Sequence, residues 1–192
     1  MSLAVLGVAL LFQCKGLPPA SVPPPQANSS ACGIRFWRPS GWAQEVSKVG
    51  DSWCQVGLMP PGWRRDHGKS DYALRLSVHI RKSTFKPRPD ASPLSDLGFQ
   101  HDKLGWHAEG STPGQKATEI EGQGWKGVTQ YIQFSAYDEN GRYRGVGEGQ
   151  AAGLIGPGNA LIYAEAHVGI YDENAFDNLL CSIHFGGRPS AK

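Results

Sequence analysis

The side chains in this chain that are able to do chemistry are six histidines, seventeen carboxylates and four cysteines. Two histidines stand out by spacing. His79 alternates with Arg75 and Arg81 along one run, and His167 shares its alternation with Glu165. Imidazoles beside guanidinium and carboxylate groups suit proton transfer or metal-assisted hydrolysis. Gathered on one sheet face, Arg75, His79, Arg81, Glu165 and His167 would make a polar site for a small hydrolase or metal-dependent enzyme. A solvated face with ordinary cross-strand charge pairs is the plainer account, and it weighs more. His101 and His107 flank a loop, with nothing to fix a metal geometry there. The tetrapeptide YDEN occurs at 137–140 and again at 171–174, and two acidic copies suggest halves of a metal site. The calcium-loop spacing fails in both. The first copy runs into Gly141 between two alternating stretches, which is hairpin punctuation. The second opens an apolar-periodic run, which makes Asp172 a helix N-cap and places Glu173 at the favourable end of the helix dipole.

Other chemistries lack their patterns. The chain has no G-x-S-x-G elbow, no S-x-x-K and no glycine-rich phosphate loop between a strand and a helix. His107-Ala108-Glu109 matches half of a zinc-deaminase signature, but the P-C-x-x-C half is missing. The cysteines form no zinc pattern. Cys54 and Cys181 lie in apolar-patterned segments, which suit core or disulfide positions better than a nucleophile. No cofactor is expected. The formal net charge is +2 and the basic residues are scattered, so nothing argues for nucleic acid.

Residues 3–12 form an apolar run of signal-peptide length, too short to span a bilayer and without a positive flank before it. Cys14 follows at once. The order resembles the lipobox of bacterial lipoproteins, although Gln13 stands where a small residue is usual. Residues 15–31 are rich in Pro, Ser and Ala and read as a tether. The expected plan is a signal-peptide-like segment at 1–13, a tether at 14–31 after a candidate lipidated Cys14, and one domain at 32–192. With Cys14 lipidated, Cys32, Cys54 and Cys181 are the disulfide candidates; three cysteines allow one bridge and leave one thiol. The expected location is the periplasm, with membrane contact only through that anchor.

The domain reads as strands joined by turns. GIRFWRPSGW (33–42) alternates and stops at Pro39-Ser40-Gly41. SWCQVGLMPPGW (52–63) ends at Pro60-Pro61-Gly62. In DYALRLSVHIRKS (71–83), Leu74, Leu76, Val78 and Ile80 share one face. SPLSDLGFQHDKLG (92–105) carries helix-start signals: Ser92 as N-cap, Pro93 at the first position and Asp96 in the first turn. A meander then runs through residues 116–171. Residues 172–185 form a closing amphipathic helix with Phe176, Leu179, Leu180 and Ile183 inward. The predicted class is α+β: an antiparallel meander sheet with helices packed on its face.

Two short motifs carry a resemblance. Phe36-Trp37-Arg38-Pro39-Ser40-Gly41-Trp42 near the start and Ser182-Ile183-His184-Phe185, on which the last helix closes, resemble the PsbP-like/DcrB-like superfamily. The resemblance spans most of residues 33–186. It implies a PsbP-like α/β sandwich and a secreted or envelope protein, without an activity. Gly124–Gly127, the meander and the closing segment are also similar to periplasmic immunity proteins of type VI secretion effectors.

Turn-proximal aromatics beside arginines are what protein-binding surfaces concentrate. Trp63, Arg64, Arg65, Trp106, Tyr137, Arg142, Tyr143 and Arg144 are the candidate partner contacts, although core corners plus scattered surface rings would explain many of them. The expected function is a non-enzymatic periplasmic binding protein. Its most concrete form is an immunity-type inhibitor of a secreted bacterial toxin. An accessory or assembly protein of an envelope complex is the alternative, and a small enzyme is less supported.

Overall fold

The computed structural model describes residues 14–17, 26–49, 53–62, 74–79, 92–111, 114–137, 142–167 and 173–186. Twelve strands dominate them: β1 Gln26–Ala31, β2 Ile34–Pro39, β3 Ala43–Val49, β4 Trp53–Met59, β5 Leu74–His79, β6 Phe99–Asp102, β7 Gly105–Ala108, β8 Thr118–Gly122, β9 Trp125–Tyr137, β10 Tyr143–Ile155, β11 Leu161–His167 and β12 His184–Phe185. One α-helix, α1, spans Glu173–Cys181, and 3-10 turns lie at Pro93–Leu97 and Pro157–Asn159.

Seven strands form one antiparallel sheet in the order β3-β4-β5-β11-β10-β9-β8. One face of its central strands is apolar and fully covered, and the other is covered only in part. On one face Val56, Leu58, Val78, Leu154, Ile162 and Ala164 are buried against Phe176, Leu179 and Leu180 of α1 and Ile34 and Phe36 of β2. On the other, Val128, Ala151 and Leu161 are buried against Leu94, Leu97, Phe99 and Ala108. The β6–β7 hairpin and the Pro93–Leu97 turn therefore cover part of this second face. Gly153 is what lets them come so close. A Cβ there would lie 2.9 Å from the Phe99 ring, and Phe99 is completely buried.

The α+β expectation is corrected: the described fold is predominantly β. One of the two predicted helices is a single 3-10 turn. Ser92 Oγ does accept from Leu94 N, but Gly98 then adopts φ 78° and ends the turn. The chain continues as the β6–β7 hairpin, with Phe99 against Ala108. Phe99 is completely buried, whereas Leu104, in the same predicted helical stretch, is 58% exposed. The tether also differs. Gln26–Ala31 is a strand paired along its whole length with β2. The two-residue link has positive φ at both Cys32 (54°) and Gly33 (78°), the geometry that lets a two-residue hairpin follow the twist of its strands. β12 pairs on the other side of β2 to complete a three-stranded sheet. Strand β3, for which no pattern was assigned, pairs with β4.

The meander matches its pattern, while the closing helix, expected to reach residue 185, ends at Cys181 because His184–Phe185 pairs with β2 as a strand. β9 and β10 pair from Tyr143 against Tyr137 to Ile155 against Lys126. The Asn140-Gly141 turn and the Asp172 cap lie outside the described residues. Ser182 links the two ends of the domain: its hydroxyl accepts from Trp37 N at 2.8 Å and donates to Leu179 O at 2.7 Å. Trp125 Nε1 donates to Ile183 O at 2.9 Å in the core beside it.

Candidate functional site

The hairpin covers only part of the second sheet face, and the uncovered part is a groove of about 560 Å³. Among the described side chains, its floor comes from four strands of the large sheet. Trp53 and Gln55 stand on β4, Tyr163 on β11, Ala151 on β10 and Ile132 on β9. Alternation places each of them on the face opposite the one that packs on α1. One wall is built by Leu97, Gly98 and Phe99, and by Ala108 and Glu109 at the other root of the hairpin. Trp53, Gln55, Ile132 and Tyr163 are half-buried, and Leu97, Phe99, Ala108 and Ala151 are buried. The groove thus joins apolar and aromatic surface to a few polar groups, the usual chemistry of a binding cleft.

Its wall is fixed by three interactions. Glu109 N donates to Gly98 O at 2.7 Å, closing the hairpin root. Ala108 N donates to Gln130 Oε1 at 2.7 Å, tying the hairpin to β9. Ala117 N donates to Trp106 O at 2.7 Å on the far side. Gln130 is 5% exposed, and its Nε2 has no hydrogen-bond partner among the described residues.

The register decides what becomes of the predicted histidine face. Arg75 stands opposite Glu165, and His79 stands opposite Leu161 on one side and Trp53 on the other. His167 stands opposite Gly149. Arg75 and Glu165 are thus cross-strand neighbours. His79 and His167 sit at opposite ends of the pairing and are not brought together. Arg81 lies outside the described residues. No cluster of three His, Cys, Asp or Glu able to hold a metal occurs among the described residues. His101 packs edge-on to Trp106 at 5.0 Å between ring centroids, and His107 Nδ1 lies 3.9 Å from Asp102.

A second polar cluster lies on the other face of the long β9–β10 hairpin. Glu148 stands opposite Gln133, which donates to it at 3.0 Å, and the Tyr131 hydroxyl also donates to it. The Tyr131 hydroxyl first, and Gln133 second, hold the Glu148 carboxyl below its ordinary value.

The cysteines depart from expectation. Cys14 is bonded to Cys181, and Cys32 to Cys54. A sulfur in a disulfide cannot also carry a lipid thioether, so the lipidated Cys14 is corrected along with the leftover thiol. Among the described residues no cysteine is free. The segment at 14–17 is not loose tether: Lys15 exchanges both backbone hydrogen bonds with Glu121 of β8 at 3.0 Å. The bridge to Cys181 holds it on the sheet edge.

The predicted partner-contact residues do not converge. Trp63, Arg64 and Arg65 lie outside the described residues. Trp106 is half-buried and packs on the second core. Tyr137, Arg142, Tyr143 and Arg144 all lie at the end of the β9–β10 hairpin where the chain passes from one strand to the other; there Tyr143 pairs with Tyr137, and Arg142 is exposed. The groove residues were not among the predicted site residues. Their one sequence signal was the alternation that sets Trp53 with Gln55, and Tyr163 with Glu165, apart from the apolar face of each strand.

No family model matches the sequence, and a search of curated proteins finds no match. Among solved structures, the chain is similar to a protein from Bacteroides thetaiotaomicron VPI-5482, with 12% identity and a TM-score of 0.45 over 87% of this chain. The match spans about half of that protein's length (50%). A likeness at this level carries no functional argument.

Proposed function

We propose that this chain is a non-enzymatic binding protein of the periplasm, an immunity-type inhibitor that neutralises a secreted bacterial toxin by docking on it. The observation that carries the reading is the groove: a rigid, half-covered sheet face lined by Trp53, Tyr163, Ile132 and Leu97, with Gln55 and two carboxylates around them. Aromatic anchors in a preformed cleft are what protein interfaces use for affinity, because little side-chain freedom is lost on contact. Two disulfides support the compartment, since such bridges persist where the medium is oxidising. The resemblance of the two end motifs to PsbP-like envelope proteins agrees with that location.

The test is protection. The chain is co-expressed in the periplasm with the product of each gene neighbouring its own, and growth and complex formation are measured. Rescue from a toxic neighbour, with loss of rescue in Trp53→Ala and Tyr163→Ala variants that retain their unfolding midpoint, is the expected result. Stable assembly into an envelope complex without any toxic neighbour would overturn the inhibitor and favour the accessory role.

A further inference from the structure

The groove has a charge asymmetry that the fold does not use. Asp96 and Glu109 both stand on its rim and both are exposed. Asp96 lies two residues before Gly98, and the 2.7 Å bond from Glu109 N to Gly98 O sets Glu109 beside that glycine. Among the described residues neither carboxylate is in an ion pair, and no Lys, Arg or His lines the groove. Arg75, which the register places on the same sheet face, stands opposite Glu165, a third carboxylate. Nothing in the packing requires Asp96 or Glu109 to be acidic, since each is solvated and neither caps an α-helix.

Below the carboxylates lie Trp53 and Tyr163, half-buried, with Leu97, Ile132 and Phe99 around them. Aromatic faces attract cations, and a guanidinium stacks on them while its planar fork meets carboxylates. An ammonium would use the charge but not the stacking. The volume, about 560 Å³, is larger than one side chain and suits a short loop with apolar residues on either side of the cation. From this charge complementarity we infer that the groove receives an arginine side chain flanked by apolar residues on a protein partner. Its guanidinium meets Asp96 and Glu109, and its neighbours cover Ile132 and Leu97. The inference rests on the binding reading above and names the partner's chemistry.

The probe is the peptide acetyl-Leu-Arg-Leu-amide, titrated into the isotope-labelled, disulfide-intact protein and followed by amide NMR shifts. The control peptide carries citrulline, a neutral isostere, in place of arginine. The expected result is shifts at Trp53, Gly98, Glu109 and Tyr163, with the citrulline peptide about tenfold weaker or more. Asp96→Asn/Glu109→Gln weakens the arginine peptide by a similar factor. Glu119→Gln/Glu121→Gln, an equal change of charge at exposed positions on β8, leaves it within about twofold because those groups are largely screened. Equal binding of both peptides, no shift at millimolar peptide, or equal loss in both double variants overturns the inference. The two proposals fail separately. A partner that needs Trp53 but tolerates Asp96→Asn/Glu109→Gln removes the arginine and keeps the inhibitor. A groove that takes the arginine peptide in a chain that protects from no toxin does the reverse.

Discussion

Breaking the Cys14–Cys181 bridge tests both the covalent frame and the role given to the first described segment. The bridge closes 167 positions of chain. If residues 14–17 stay in place without it, the whole loop-closure entropy is lost from the stability, roughly 5 kcal/mol in the chain-entropy model. They are held, however, by one pair of backbone bonds to Glu121 and by an exposed ion pair, Lys15 to Glu121 at 3.9 Å. Exposed pairs contribute little. If the segment peels away, its freedom in the folded state is limited only by its connection to β1, which begins at Gln26, twelve positions later. The folded state then recovers part of the entropy, and the net loss falls to about 2 kcal/mol from the ratio of the two loop lengths. Cys14→Ala/Cys181→Ala is therefore expected to lose between about 2 and about 5 kcal/mol. Alanine is chosen because both positions are buried, at 6% and 7% exposed, and a serine would bury an unpaired hydroxyl. The assay is urea unfolding followed by circular dichroism, on residues 14–192 oxidised in vitro. With a slope near 2 kcal/mol per molar, the midpoint drops by roughly 1 to 2.5 M. Cys32→Ala/Cys54→Ala, which opens a loop of 22 positions, loses roughly 3 kcal/mol. A midpoint unchanged in the first variant, or free thiols in the denatured, unreduced parent, would refute the pairing. A parent carrying a diacylglycerol mass at Cys14 would refute it as well.

Other perturbations probe single contacts. Ser182→Ala removes the acceptor for Trp37 N in a residue only 2% exposed, and a loss of about 1–3 kcal/mol is expected in the same urea assay. Gly153→Ala pushes a methyl into the Phe99 ring; overpacking of about 1–3 kcal/mol is expected, seen as a lower melting temperature and as shifts along β6 and β7. Tyr131→Phe removes the main cause of the lowered Glu148 pKa, so the carboxyl titration followed by NMR moves up toward the ordinary glutamate value. The sign for stability follows from that depression. Glu148 favours the fold above its unfolded pKa, and the contribution disappears as pH falls through the lower folded value, so the variant has less acid-dependent stability to lose.

Much of the β structure was legible because period-two alternation reports burial directly. Val78 points inward as its pattern requires, and Phe176, Leu179, Leu180 and Ile183 do so from the closing segment. The predicted helix after Ser92 was misread for a local reason. Its cap signals are real, since Ser92 does bond to Leu94 N. A 3-10 turn uses the same signals as an α-helix, and only the left-handed Gly98 and the burial of Phe99 decide that the chain leaves as a hairpin. The candidate site was barely legible. Trp53 and Gln55 come from β4 and Tyr163 from β11, strands far apart in sequence that only the sheet pairing brings onto one face.

Taken alone, the sequence determined which residues needed burial, where the chain turned, and that four sulfurs stood in segments with distinct patterns. Those properties are local, set by side-chain chemistry and backbone preference within a few residues. Only the tertiary structure decided that Gln26–Ala31 is a strand, because a polar segment with no inward pattern becomes one when β2 supplies its hydrogen bonds. Only it decided that Cys14 meets Cys181 rather than a lipid, and that a hairpin covers half of one sheet face. Each is a contact between distant segments, whose energy is earned by surfaces that do not exist until the chain has closed.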